Sequence, residues 1–184
     1  MLLVKEKYKK YRSISHFYLK ALLLFLVWIA FYKSWLLDYN AIDTRFIQAQ
    51  ASLANVLLDM MGFETQVMQD YRGYPAAITW QHNDLIYIDH NCSSMSLIAV
   101  FAGFILAVSS RGYTKHKLWF VPAGIMVVVF LNIMRIAALT LIQWYSPRHL
   151  DFNHKYTFVA IVYGAIIYMW YIWLKKTKEI PSNS

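Results

Sequence analysis

The sequence predicts an all-α integral membrane helical bundle of about four transmembrane helices, joined by an outer amphipathic helix and a small extracytoplasmic β-hairpin-like cap. Three observations predict it. Of 184 residues, 59% are apolar and 17% aromatic, which is the composition of a chain dissolved in lipid. The apolar residues gather into runs close to the roughly 20 needed to cross about 30 Å of hydrocarbon. The basic residues cluster beside those runs, and in a four-span arrangement every cluster falls on one side, which marks that side as cytoplasmic. The length fits a single domain covering residues 1–184.

Residues 1–18 form a basic tail carrying Lys5, Lys7, Lys9, Lys10 and Arg12. The first span, 19–37, reads LKALLLFLVWIAFYKSWLL. No small-residue cleavage site follows it, so it is expected to stay as an anchor and not to be removed as a signal peptide. Over 42–61 apolar residues recur at Ile42, Phe46, Ala49, Leu53, Val56, Leu57 and Met60, the spacing of an amphipathic helix. Asp43, Arg45, Gln48, Asn55 and Asp59 share the segment, which places the helix along the outer interface or against the bundle. It stops at Gly62. Residues 65–91 read as a cap of short strands, TQVMQ, AAITW and LIYID, with turn chemistry at Arg72-Gly73 and His82-Asn83-Asp84 and with Pro75 limiting strand length.

The remaining spans are 92–109, 118–142 and 157–174, followed by a tail at 175–184. Arg111, Lys115 and Lys117 join the second and third spans, and Lys175, Lys176 and Lys178 follow the fourth; of ten acidic residues only Glu6 and Glu179 share their side. Both termini are therefore expected in the cytoplasm, with the outer loops beyond the cytoplasmic membrane. The net charge of +8 reads as topology and contact with anionic membrane lipids, and no nucleic-acid partner is expected. Trp35, Trp80, Trp144, Tyr145 and Tyr156 read as interfacial belts.

Three residues that hydrocarbon disfavours arrive at one depth. Cys92, the single cysteine, lies 17 residues before the cytoplasmic end of its span at Ser109, and Arg135 lies 17 residues after Leu118; both distances are roughly 26 Å along a helix. His154 lies 21 residues before Lys175, about 32 Å if helical throughout. A compact bundle would bring the three together near the outer boundary.

Each has an ordinary reading beside the chemical one. A lone thiol in a membrane segment is often an apolar filler, yet in the first helical turn unpaired N–H groups and the helix dipole would favour its thiolate. Arg135, within VVVFLNIMRIAALTLI, could snorkel to headgroups. With Asn132 three residues earlier on the same face it instead makes a polar stripe aimed into the bundle. His154, in HLDFNHKY, is either a loop histidine or the base a thiol nucleophile needs. Cysteine and histidine suffice for acyl transfer, and a neighbouring guanidinium can hold an oxyanion or orient a carbonyl or carboxylate.

With Cys92-Ser93 opening a span, Asn132-Ile-Met-Arg135 late in the next and His154 at the outer start of the last, residues 42–174 resemble the exosortase/archaeosortase family. These are integral-membrane cysteine transpeptidases that process proteins bearing a carboxy-terminal sorting helix. The resemblance implies Cys92 as nucleophile, Arg135 as oxyanion or substrate stabiliser and His154 as general acid/base, with Asn132 and Ser93 in support. It implies exported protein substrates cleaved at the outer face, and an acyl-enzyme resolved by water or by an amine acceptor, such as an envelope lipid or glycan. Two features depart from the family pattern: Ser94 stands where members commonly have glycine, and only one span precedes the outer helix.

Other chemistries compete. His149, Asp151 and His154, joined by Asp89, His90 and Cys92, would suit a metal-dependent membrane hydrolase, but the spacing matches no zinc pattern such as HExxH. A non-enzymatic membrane scaffold would use the amphipathic helix and the aromatic cap as a partner surface. Thiol-disulfide exchange lacks a second cysteine, and an intramembrane aspartyl pair is missing because all ten acidic residues lie outside the expected spans. No metal and no cofactor is expected.

Overall fold

The computed structural model describes residues 19, 22, 23, 25–30, 41–81, 83–107 and 114–178. Residues 1–18, most of the expected first span, Trp35 and the 179–184 end of the tail lie outside them; residues 25–30 are helical. The rest follows the order α1 (Ala41–Met60), β1 (Gln66–Tyr71), β2 (Tyr74–Trp80), β3 (Asn83–Ile88), α2 (Met95–Ala107) and α3 (Thr114–Tyr145). A 3-10 turn (Pro147–His149), one helical turn (Leu150–Phe152) and a π-helical turn (Asn153–Thr157) then lead into α4 (Phe158–Lys178). The chain is mostly helical. Among the described residues two helical paths, His116–Tyr145 and Pro147–Lys176, are long and apolar enough to cross a membrane, while Met95–Ala107 is apolar but shorter.

One half of the core lies between α2, α3 and α4. Phe101 and Ile105 of α2 meet Val128 of α3 and Val162, Ile166 and Trp173 of α4, all buried. α2 and α3 approach most closely at Gly124, where an added Cβ would lie 2.1 Å from the Phe101 ring. That ring is fully buried and has nowhere to swing. Gly124→Ala is therefore expected to destabilise the protein by about 1–3 kcal/mol through overpacking, read as a lower melting temperature in detergent micelles. Gly103→Ala, whose Cβ would meet nothing within 4 Å, should leave it unchanged or slightly raised.

The other half packs α1 and the sheet onto the Tyr145 end of α3. Ile47, Ala51, Ala54 and Leu58 recur at helical spacing on α1 and bury against Ala76, Ile78 and Ile88 of the sheet and Ile133, Ile136 and Ala137 of α3. This reverses the face expected from apolar periodicity. Ile42, Leu53, Val56 and Met60 point outward, Met60 to 80% exposure, whereas Asp43 and Gln50 are buried. At a membrane interface the exposed side need not be the polar one, so large apolar side chains lie on both sides of α1, and the interior takes Ile47 and Leu58 together with alanines and paired polar groups.

The cap is a three-stranded antiparallel sheet of order β1-β2-β3, one strand more than a hairpin. Arg72 and Gly73 both have positive φ, as a two-residue type I′ turn requires. Pro75 sits inside β2 opposite the irregular Asp70, so it shortens nothing, and Asn83-Asp84 open β3 instead of forming a turn. Trp80 and Trp144 pack edge to face at 4.1 Å, tying β2 to the end of α3; neither is simply a belt residue.

Candidate active site

β3 ends at Ile88 and the chain turns at once. Asp89 caps a 3-10 turn, His90–Cys92, its carboxylate accepting from the His90 amide at 2.7 Å. The Cys92 amide donates to the Asp89 carbonyl at 2.8 Å. Ser93 is extended, and α2 starts only at Met95. Cys92 therefore does not stand in the first turn of α2, where sequence placed it, but on a separate small turn ahead of it.

Two buried side chains of α1 hold that turn. Asp43, 2% exposed, accepts from the Ser93 hydroxyl at 2.5 Å and from the His90 Nδ1 side at 2.7 Å. Gln50, two helical turns on, donates from Nε2 to Ser94 Oγ at 3.0 Å and accepts at Oε1 from Asn132 Nδ2 at 2.6 Å. Asn132 also donates to the Cys92 carbonyl at 3.0 Å. A single amide of α3 thus ties α1 to the cysteine turn. Asn132→Leu would strand the Gln50 and Cys92 oxygens in a buried position, a cost of about 1–3 kcal/mol. Its expected signature is faster hydrogen exchange at residues 90–94 and a lower melting temperature.

The serine at 94 acquires a reason in this network. It is fully buried and its hydroxyl bonds Gln50, so its side chain is directed into the α1 contact.

Cys92 Sγ lies 3.4 Å from His154 Nε2. The histidine is carried by the π-helical turn Asn153–Thr157; such single π turns recur at functional sites because the extra residue re-aims side chains. Neighbouring bonds brace the turn: Asn153 Nδ2 donates to the His149 carbonyl at 2.8 Å, and Lys155 pairs with Asp151 at 2.8 Å.

Cys92, Asn132, Arg135 and His154 share the wall of one cavity of about 290 Å³, whose other walls are mainly apolar: Leu85, Ile86 and Ile88 of the sheet, Ile136 and Leu139 of α3, and Leu150, with Tyr74 and Tyr87 at the outer side. The Nε of Arg135 is buried and has no hydrogen-bond partner among the described residues. Burial pushes the Cys92 thiol above its ordinary range, and the nearby Arg135 charge opposes that shift. The depressed thiol expected from a helix start is not found, because burial removes water and α2 begins three residues later. Proton removal from such a thiol calls for a base in contact, and His154 is in contact.

The residues weighed as metal ligands do not converge. His90 pairs with Asp43, Asp151 with Lys155, and Cys92 with His154; among the described residues no three His, Cys, Asp or Glu side chains gather around one point. Sequence reasoning missed Asp43, Gln50 and Ser94. A signal was present: Asp43 and Gln50 are seven residues apart, on the face that also carries Ile47 and Ala51.

The family model described as transmembrane exosortase matches residues 11–175. No curated protein and no solved structure matches the chain.

Proposed function

The chain belongs to the transmembrane exosortase family, an integral membrane protein of peptidase or transpeptidase type, and from that premise we propose that it cleaves exported proteins at a Cys92–Arg135–His154 site. In this reading His154 takes the thiol proton as Cys92 attacks the scissile carbonyl, so a carbon–sulfur bond forms and the carbonyl becomes a tetrahedral oxyanion. Arg135, in the same cavity wall, supplies a permanent positive charge to that oxygen. His154 then returns its proton to the leaving amine as the carbon–nitrogen bond breaks, leaving a thioester that water or an amine acceptor resolves. Asn132 and Ser93 position the cysteine turn. The observation that carries the reading is the 3.4 Å approach of Sγ to Nε2 in a cavity shared with Arg135, whose buried Nε has no hydrogen-bond partner among the described residues.

The four-span arrangement belongs to the same proposal, with both termini cytoplasmic, the site at the outer face, and substrates that bear a carboxy-terminal transmembrane sorting signal. It is supported by the basic clusters and by the cap lying at the end of α3 opposite Lys117.

Because Cys92 is the only thiol, reagent sensitivity reports it directly. Processing in membranes is expected to stop on treatment with N-ethylmaleimide and to continue in the presence of a strong chelator. Chelator sensitivity with thiol-reagent resistance would favour the metal hydrolase; indifference to both would favour the scaffold.

A further inference from the structure

The geometry points to the free edge of β3 as the docking strand for substrate: an extended peptide segment lies along Asn83–Ile88 as a fourth strand and so delivers its carbonyl to Cys92. This rests on the peptidase reading above. Among the described residues β3 pairs with β2 alone and ends the sheet, and no residue from 83 to 88 enters the backbone hydrogen bonds made outside the regular elements. Every second residue of an edge strand turns its N–H and C=O outward.

That edge borders the cavity. Ile86 and Ile88 pack toward the α1 core, and strand alternation puts Tyr87 between them on the opposite face, while Leu85 is the extra residue where the register shifts between Asp84 and Ile86; all four line the same cavity as Cys92. Residues from both faces can share one cavity only where it runs along the strand's edge. A peptide laid there would sit about 4.8 Å from β3, and Cys92 comes four residues after Ile88, at the end of that track.

The two edges of the sheet differ in a way that fits. β1 carries Gln66, Gln69 and an Asp70 with positive φ, features that blunt strand addition. β3 reads NDLIYI, without Lys or Pro, and its register shift at Leu85 leaves the stretch 86–88 next to the cysteine turn regularly paired. Its Asp84 is occupied, accepting from Arg72 at 2.7 Å and from the Tyr87 hydroxyl at 2.6 Å, and the Tyr87 ring lies 4.8 Å from Tyr74. The outer rim is thus fixed, leaving main-chain groups to hold the peptide and the cavity to select one or two side chains. This is recognition by strand addition, in which backbone bonds give affinity and pockets give selectivity.

The test uses acetyl-tetraalanyl chloromethyl ketone on the full chain in detergent micelles, with chloroacetone as the reagent lacking a peptide. In both, sulfur displaces chloride from the methylene carbon and the thiol proton passes to His154. Four further reagents each carry one N-methylated amide. The rate of mass gain at Cys92 is expected to be at least about tenfold higher for the peptide than for chloroacetone. N-methylation at alternate positions should slow it by about tenfold, the equivalent of about one hydrogen bond, with little effect at the positions between. Equal rates for peptide and chloroacetone, or N-methyl effects without a period of two, would overturn the docking strand. If Cys92 is still alkylated by chloroacetone and processing still depends on the thiol, that result removes the strand and leaves the peptidase; loss of thiol dependence removes both.

Discussion

Cys92→Ala is expected to bring processing to background, a loss of about 10⁴-fold or more, since removing a nucleophile forfeits the covalent route and leaves only binding. His154→Ala should retain the thiol and lose about 10²- to 10⁴-fold, the range for general acid–base catalysis. The histidine loss should exceed what stability explains, because His154 contributes to neither buried core cluster and its recorded partner is the thiol at 3.4 Å. The double variant is expected to be no worse than Cys92→Ala alone, since groups that act as one unit are not additive. The check is the initial rate of substrate shortening in membranes, normalised to folded protein. Full processing in Cys92→Ala would leave the scaffold reading standing.

Arg135→Leu is expected to separate function from stability. A cation on a membrane helix is costly to keep, about 2.5–3.5 kcal/mol at the bilayer centre on insertion scales and less toward the edge, and this one has a buried Nε without a hydrogen-bond partner among the described residues. An apolar residue of similar length removes that cost and packs against Ile136 and Leu139 in the cavity wall. The melting temperature should therefore hold or rise. Cleavage should fall by about 10²- to 10³-fold, the range for removing one oxyanion donor, and Arg135→Lys should recover part of it, because a point charge lacks the planar fork of guanidinium. A variant that loses activity and stability together would recast Arg135 as a structural residue.

The sequence made the ingredients of this site legible because hydrocarbon penalises each of them. An arginine, an asparagine and a histidine near one depth are conspicuous against apolar helices, and the distance along each span could be counted. The supporting network was not legible in the same way. Asp43 and Gln50 lie on a helix whose large apolar residues divide between two sides, Ile42, Leu53, Val56 and Met60 outward and Ile47 and Leu58 inward; periodicity identified a face but not which side of it is the protein. The separate 3-10 turn at His90–Cys92 was hidden because an apolar run beginning at Met95 looks continuous with the cysteine before it. The π turn at Asn153–Thr157 has no residue signature, since a single inserted residue in a helical path changes direction without changing composition. The third strand was legible as the segment LIYID, but its edge position follows from pairing order, which one sequence does not display.

In the proposed mechanism the joint placement of Cys92, His154 and Arg135 leads to one chemical species, a thioester between Cys92 and the substrate's new carboxyl end. Rapid acid quenching of the wild-type protein during turnover, followed by intact-mass and peptide mass spectrometry, measures it directly. The account predicts a hydroxylamine-labile acyl mass on the peptide containing Cys92, absent from Cys92→Ala. An acyl mass at another residue, or one that persists without the sulfur, would contradict it.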